Sequence, residues 1–240
     1  MNNERLFNNR KSGIILAADV STLAQLDKLL ELARSTPAIV ALKVGFTLSL
    51  RFGLRQVVQR VRSKHELPVI YDHQKAGTDI PDMGRPFAKA CRDCGAKAAI
   101  FFPQAGPKTL EGFVTGALAE KLVPIVRLVM THSAYLQSEG GFIMDDAPDR
   151  ICKLAMDLGV TNFVLPGTKT DLVQHFAFIF KEKRLDATIM MPGIGSQGGS
   201  IQQAFMAAEP LRRFAIIGSS IYAAKNPDAV LADLVSEADL

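Results

Sequence analysis

Leu67-Pro68-Val69-Ile70-Tyr71-Asp72-His73-Gln74-Lys75-Ala76-Gly77-Thr78-Asp79-Ile80-Pro81 decides how this chain is read. Leu67–Tyr71 is a short apolar run, expected as a buried strand. Pro81 suits the first turn of a helix, where its missing N–H would have no partner anyway. Asp72, Lys75 and Asp79 therefore sit where a strand hands over to a helix. A barrel of alternating strands and helices keeps its chemistry at that kind of position. Alone, the segment reads equally well as a solvated turn, so the flanking sequence has to decide.

The flanks alternate without a break. Gly13–Val20 is an apolar strand with Asp19 near its carboxyl end. Ser21 or Thr22 can cap a helix whose Leu23, Leu26, Leu30 and Ala33 share one face. Ile39–Val44 is a second strand, interrupted by Lys43, and a helix over 47–63 follows. After the quoted strand come a helix over 81–94, a strand Lys97–Phe102 and a helix Pro107–Lys121. Strands at Val123–Met130, Thr161–Leu165, Ala187–Met191 and Phe214–Ile217 then alternate with helices over 145–158, 169–183, 200–208 and 226–237. The strands are continuous apolar runs, as expected when both faces of a parallel sheet are buried. Eight βα units in 240 residues predict a single (β/α)8 barrel over 1–240, with 1–12 as a polar lead-in.

Composition narrows the class. The chain is 48% hydrophobic and 22% charged. It contains no apolar run of the ~18–20 residues that would span a bilayer. The polar start, Met1-Asn2-Asn3-Glu4-Arg5, lacks the apolar core of a secretory signal. Three cysteines argue for a reducing, cytoplasmic setting over a disulfide framework. A net charge of +4, evenly spread, suits a small anionic substrate and points away from nucleic acid.

Polar residues at strand ends converge on one face of such a barrel. They are Asp19, Lys43, the Asp72–Lys75–Asp79 group, Thr131, Pro192–Gly199 and Gly218–Tyr222. Lys43 is the most informative, because a lysine inside an apolar strand is costly unless carboxylates flank it. Its alternative is to extend its ammonium to solvent, but Asp19 and Asp72 on adjacent strand ends favour an alternating Asp–Lys–Asp–Lys network. The loop Pro192-Gly193-Ile194-Gly195-Ser196-Gln197-Gly198-Gly199 happens to fit G-x-G-x-x-G. No acidic residue follows at the spacing a dinucleotide ribose needs. A phosphate site at the loops after strands 7 and 8, with the start of helix 200–208, is the better expectation.

Together these residues resemble the orotidine 5′-monophosphate decarboxylase family, over Leu16–Asp19, Lys43–Gly45, Asp72…Lys75…Asp79-Ile80-Pro81, Pro192–Gly199 and Gly218–Tyr222. The resemblance implies a cofactor-free and metal-free loss of CO2 from orotidine monophosphate, giving uridine monophosphate in pyrimidine biosynthesis. It implies that Lys75 delivers the proton to the ring carbon, that Asp72 sits beside the substrate carboxylate, and that Lys43 orients the array. Asp19 and Lys43 would contact the ribose, and Asp79 the ribose in a neighbouring subunit, which implies a homodimer with shared sites. Thr131 would meet the pyrimidine edge. Gln197 would bridge base and phosphate, with Pro192, Gly195, Gly198, Gly218 and Ser219 around the ligand.

Two departures stand out. The family spacing D-x-K-x-x-D is here Asp72-x-x-Lys75-x-x-x-Asp79, so the loop must bulge, and His73 or Gln74 is an alternative occupant of the site. Ser219 stands where the family usually has a phosphate-clamping arginine; Arg212, Lys169 and Arg127 are unranked candidates to replace it. Magnesium-dependent keto-sugar-phosphate decarboxylases and hexulose-phosphate synthases of the same lineage are the alternative activity, and a non-catalytic phosphate-binding barrel is the third. Cys91, Cys94 and Cys152 read as structural thiols, His65 and His175 as surface residues, and Phe176, Phe178 and Phe180 as packing. His132-Ser133 has no partner acid for a nucleophilic triad. Arg34, Arg51, Arg55, Arg60 and Arg62 read as mostly one helix's solvated face.

Overall fold

The computed structural model describes residues 6–240 apart from Asn8, Gln74 and Lys75. Eight parallel strands close into a barrel in chain order. They are β1 (Ser12–Ala18), β2 (Ile39–Gly45), β3 (Val69–Asp72), β4 (Ala98–Phe101), β5 (Val123–Arg127), β6 (Asn162–Val164), β7 (Thr188–Met191) and β8 (Arg212–Ile217). β8 pairs back onto β1, with Ile15 opposite Ile216, which closes the ring. Helices α1 (Leu23–Ser35), α2 (Phe46–Phe52), α3 (Leu54–Arg62), α4 (Gly84–Asp93), α5 (Pro107–Ala119), α6 (Ala147–Asp157), α7 (Thr170–Glu182), α8 (Ile201–Ala207), α9 (Ser219–Tyr222) and α10 (Pro227–Glu237) accompany the strands. No helix among the described residues is long and apolar enough to cross a membrane.

Every residue of β2 is buried, Lys43 included, because one face looks into the barrel and the other onto helices. Two apolar layers result. Ile15, Ala41, Ile70, Ile100, Ile125 and Phe214 belong to a cluster filling the interior. Leu16, Leu42, Tyr71, Phe101, Val126 and Ala215 belong to the layer between strands and helices. Alternation along each strand assigns residues to one layer or the other. The lead-in is more than polar chain, since Phe7 is buried with its ring centroid 4.0 Å from that of Phe214.

Thr22 is the cap of α1. Its side chain accepts from Gln25 N while the Gln25 side chain accepts from the Thr22 backbone N–H, a reciprocal capping box. The helix expected over 47–63 is two helices, broken at Gly53, whose φ of +76° no helix interior contains. The helix expected from Pro81 begins as a 3₁₀ turn, Pro81–Met83, before α4. The strand expected over Val123–Met130 stops at Arg127. α9, a single turn after β8, is too short for periodicity to reveal. Phe176 and Phe180 are buried in α7, but Phe178 points outward. The arginines of α2 and α3 are exposed, as expected, and three of them also make polar contacts. Arg60 pairs with Asp27, Arg62 donates to Gly95 O and Arg51 to Ser21 O.

α4 and α5 approach on glycines. A Cβ on Gly84 would lie 2.3 Å from Gly112 O, and one on Gly116 2.6 Å from Arg85 N. Alanine gains about 1 kcal/mol of helix propensity over glycine. A backbone collision that pushes two helices apart costs roughly 1–3 kcal/mol and outweighs it. Gly84→Ala is therefore expected to lower the melting temperature by several degrees, measured by thermal unfolding; an unchanged or higher value would mean the contact is not tight.

Candidate functional site at the carboxyl ends of the strands

β1, β2 and β3 bring the predicted charges together. Lys43 Nζ lies 3.0 Å from Asp19 Oδ1 and 3.1 Å from Asp72 Oδ2. The residue exposures are 6% for Lys43 and 3% for Asp72, so the lysine does not reach for solvent. Burial alone would drive the ammonium's pKa down. Asp72 and Asp19 outweigh it, and Lys43 is held above its ordinary value. Asp19 is the exposed end of the array, its carboxylate open to the barrel mouth. Gly45 makes room for it, since a Cβ there would stand 2.6 Å from Asp19 Oδ1. Tyr222 of α9 flanks Asp19; burial, then the Asp19 charge, pushes its phenol pKa up.

The β3 loop is pinned where it can be described. Phe102 N donates to Ala76 O at 2.5 Å. Gly77, at φ +87°, lets the chain lie against the end of β4. His73 does not enter the site: its Nδ1 lies 2.5 Å from Tyr71 Oη and its ring faces Phe87 of α4, on the outer layer. The physical reason is alternation. Asp72 points inward, so its successor points out. Asp79 is exposed and caps its own chain, accepting from Ile80 N at 2.7 Å, while its backbone carbonyl accepts from Thr109 Oγ1. Among the described residues it makes no contact with Asp19, Lys43 or Asp72. Lys75, and the alternative Gln74, lie outside the described residues.

On the opposite arc, Gly193, Gly195 and Gly198 all adopt positive φ, at +92°, +79° and +87°. The loop folds back on itself through Gly195 N to Gly199 O and Gly199 N to Gly193 O. Gln197 and Thr131 both approach Gly193: a Cβ there would sit 3.3 Å from Gln197 Oε1 and 3.4 Å from Thr131 Cγ2. Pro192 leads into the loop, and its carbonyl accepts from Gly167 N. Gly218 approaches Ala17 O so closely that a Cβ would stand at 2.8 Å. Ser219 Oγ hydrogen-bonds Ser196 Oγ at 2.8 Å, joining the two loops. The buried Ser220 Oγ has no hydrogen-bond partner among the described residues, and a Cβ on Gly195 would lie 2.8 Å from it.

The expected anion site at the start of helix 200–208 is not available. Ser200 Oγ caps α8 by accepting from Gln203 N, and Glu237 of α10 places a carboxylate on the Ser200 hydroxyl and near Gln202 N. A negative charge is already there. The three candidate replacement cations are engaged elsewhere. Arg212 opens β8 at the far end of the barrel and donates to Arg10 O. Lys169 pairs with Glu139. Arg127 lies over the Phe102 ring at the end of β5. Burial lowers its pKa, and the charge of Asp72 partly restores it. Cys91 and Cys152 are buried thiols pushed up to about 12 by desolvation, unsuited to nucleophilic work.

The chain matches a family model described as the orotidine 5′-phosphate decarboxylase / HUMPS family over residues 12–234. An orotidine 5′-phosphate decarboxylase of Pyrococcus abyssi is 29% identical over 226 residues, 93% of this chain and 98% of the relative. One of Thermoplasma acidophilum is 29% identical over 218 residues, covering 90% and 91%. The crystal structure of the Methanocaldococcus jannaschii decarboxylase in complex with an inhibitor superposes with a TM-score of 0.81 at 22% identity, covering 96% of this chain and 100% of that one. The Pyrococcus horikoshii enzyme superposes with a TM-score of 0.76 at 25% identity, covering 95% and 99%.

Proposed function

This chain belongs to the orotidine 5′-phosphate decarboxylase / HUMPS family, and from that membership we propose that it decarboxylates orotidine 5′-monophosphate to uridine monophosphate. The observation that carries the reading is the Lys43 ammonium held between Asp19 and Asp72. In that arrangement the two carboxylates already share a fixed cation, at the place where a sugar-phosphate enzyme of the family would need them for magnesium. Fixed charges of this kind act without reorganising during the reaction.

In the proposed reaction the ring–carboxylate bond breaks and its electron pair stays on the ring carbon. Lys75 gives that carbon a proton and recovers one from water. Asp72 stands beside the departing carboxylate, and Asp19 with Lys43 holds the ribose. The Gly193–Gly199 loop, Gly218 and the Ser219 hydroxyl cradle the phosphate, and Gln197 and Thr131 face the base. Phosphate contacts far from the reacting carbon offset strain at that carbon. Without a clamping arginine, this cradle relies on backbone N–H groups and hydroxyls, so phosphate binding is expected to be weaker than with a bidentate guanidinium.

Asp79 faces solvent where a second subunit would carry its ribose to it. Phe46 and Leu50 on α2, with Ile80 and Met83 after β3, leave apolar side chains exposed. These features support a homodimer with shared sites, and the free cysteines suit a cytoplasmic setting. The test of the reaction is product analysis: orotidine monophosphate should yield uridine monophosphate and CO2, and a 3-keto sugar acid phosphate supplied with magnesium should remain intact. The reverse selectivity would assign the chain to the sugar-phosphate branch.

A further inference from the structure

Arg127 ends β5, and alternation along that strand fixes its direction. Ile125 lies in the interior cluster with Ile100 and Phe102, so Arg127, two residues on, returns to the interior at the mouth. Its guanidinium carbon stands 5.2 Å from the Phe102 ring centroid, and its Nε donates to Val129 O at 3.2 Å. These contacts use one face and one N–H of a group that has five. Among the described residues no carboxylate lies within ion-pair distance of it, whereas Lys43, the other interior cation, has two. Arg127 is half-buried; a cation partly withdrawn from water without an anion is costly, and an arginine cannot escape by losing its proton. A ligand that brings the anion removes that cost.

The position selects which anion. In a closed ring of eight strands, β5 stands across from β1 and β4 across from β8. The glycine loop and Ser219 follow β7 and β8, so a phosphate held there is on the other arc from Arg127 and Phe102. β5 is two strands from both β3 and β7, but the Arg127 guanidinium lies over Phe102, which follows β4, and so leans toward the Asp72 side. A ligand that spans the mouth therefore meets Arg127 with its second charged group. We propose that Arg127 is a specificity-determining residue that receives the substrate's carboxylate on the Asp72 side of the pocket. Naming that group a carboxylate rests on the decarboxylase reading; the existence of a second anion subsite does not.

The contact has a kinetic signature. Arg127 pairs with the carboxylate in the bound substrate and loses its partner as neutral CO2 departs. An interaction stronger in the ground state than in the transition state tightens binding without raising the rate. It also moderates the repulsion Asp72 exerts on the same group. Arg127→Leu is therefore expected to raise the KM for orotidine monophosphate by roughly 10–100-fold, the size of a lost charge-assisted pair. The kcat should stay level or rise. The inhibition constant of uridine monophosphate, which has no carboxylate, should stay within about threefold of wild type. Arg127→Gln should shift the two ligands in the same sense, and it keeps the test available if the leucine variant does not fold. Equal weakening of both nucleotides, or of neither, would overturn the assignment. If the wild-type chain leaves orotidine monophosphate intact, the decarboxylase reading fails. Direct titration with the two nucleotides then still decides the subsite, with a preference for the carboxylated one supporting it and no preference overturning it.

Discussion

Lys43→Met is expected to lower turnover by at least roughly 10²–10³-fold, the effect of losing a preorganised charge, and to destabilise the protein by about 3–5 kcal/mol. The stability loss follows from breaking a buried ion pair, since Asp72 is 3% exposed and stands 3.1 Å from the ammonium. Asp19 can turn to water, so the lower end of the range is the better figure. For a chain of this size that is a fall of roughly 6–12 °C in melting temperature. In the wild type the folded pKa of Lys43 is raised above 10.5, so its contribution is complete below that value and is lost as pH rises through the folded pKa. A methionine variant with near-normal melting and turnover would mean that the array is a surface ion pair without function.

Lys75→Ala is expected to reduce turnover by about 10³-fold or more, combining a lost proton donor with a lost charge. Uridine monophosphate should still bind within a few-fold of wild type, because base, ribose and phosphate contacts remain. The split separates Lys75 from Lys43, whose loss would disturb ribose binding and stability as well. Near-wild-type turnover in Lys75→Ala would sink the proton-donor assignment and direct attention to another acid in the β3 loop.

The barrel was legible because parallel strands buried on both faces leave continuous apolar runs, and the eight runs alternate with helical periodicity in Leu26, Leu30 and Ala33 and their counterparts. The break at Gly53 was not, since a glycine inside a helical pattern is tolerated as often as it ends a helix. Within the site, Lys43 announced itself as a charge in an apolar strand, and the structure supplies both partners for it. The start of helix 200–208 misled for a reason no local pattern contains: its occupant, Glu237, arrives from 37 residues away. His73 and Arg127 were legible by parity once the strand phase was fixed by Asp72 and Ile125. Phase alone does not say which anion Arg127 faces, so it stood unranked among three cations. Tyr222 beside Asp19 depends on the single turn α9 and had no sequence signal beyond its place in Gly218–Tyr222.

The most direct test is the fall in orotidine monophosphate absorbance on adding the purified chain, with and without EDTA. The charge array described here predicts turnover that the chelator does not change. Turnover that EDTA abolishes, or none from folded protein, would contradict a metal-free decarboxylase built on Asp19, Lys43, Asp72 and Lys75.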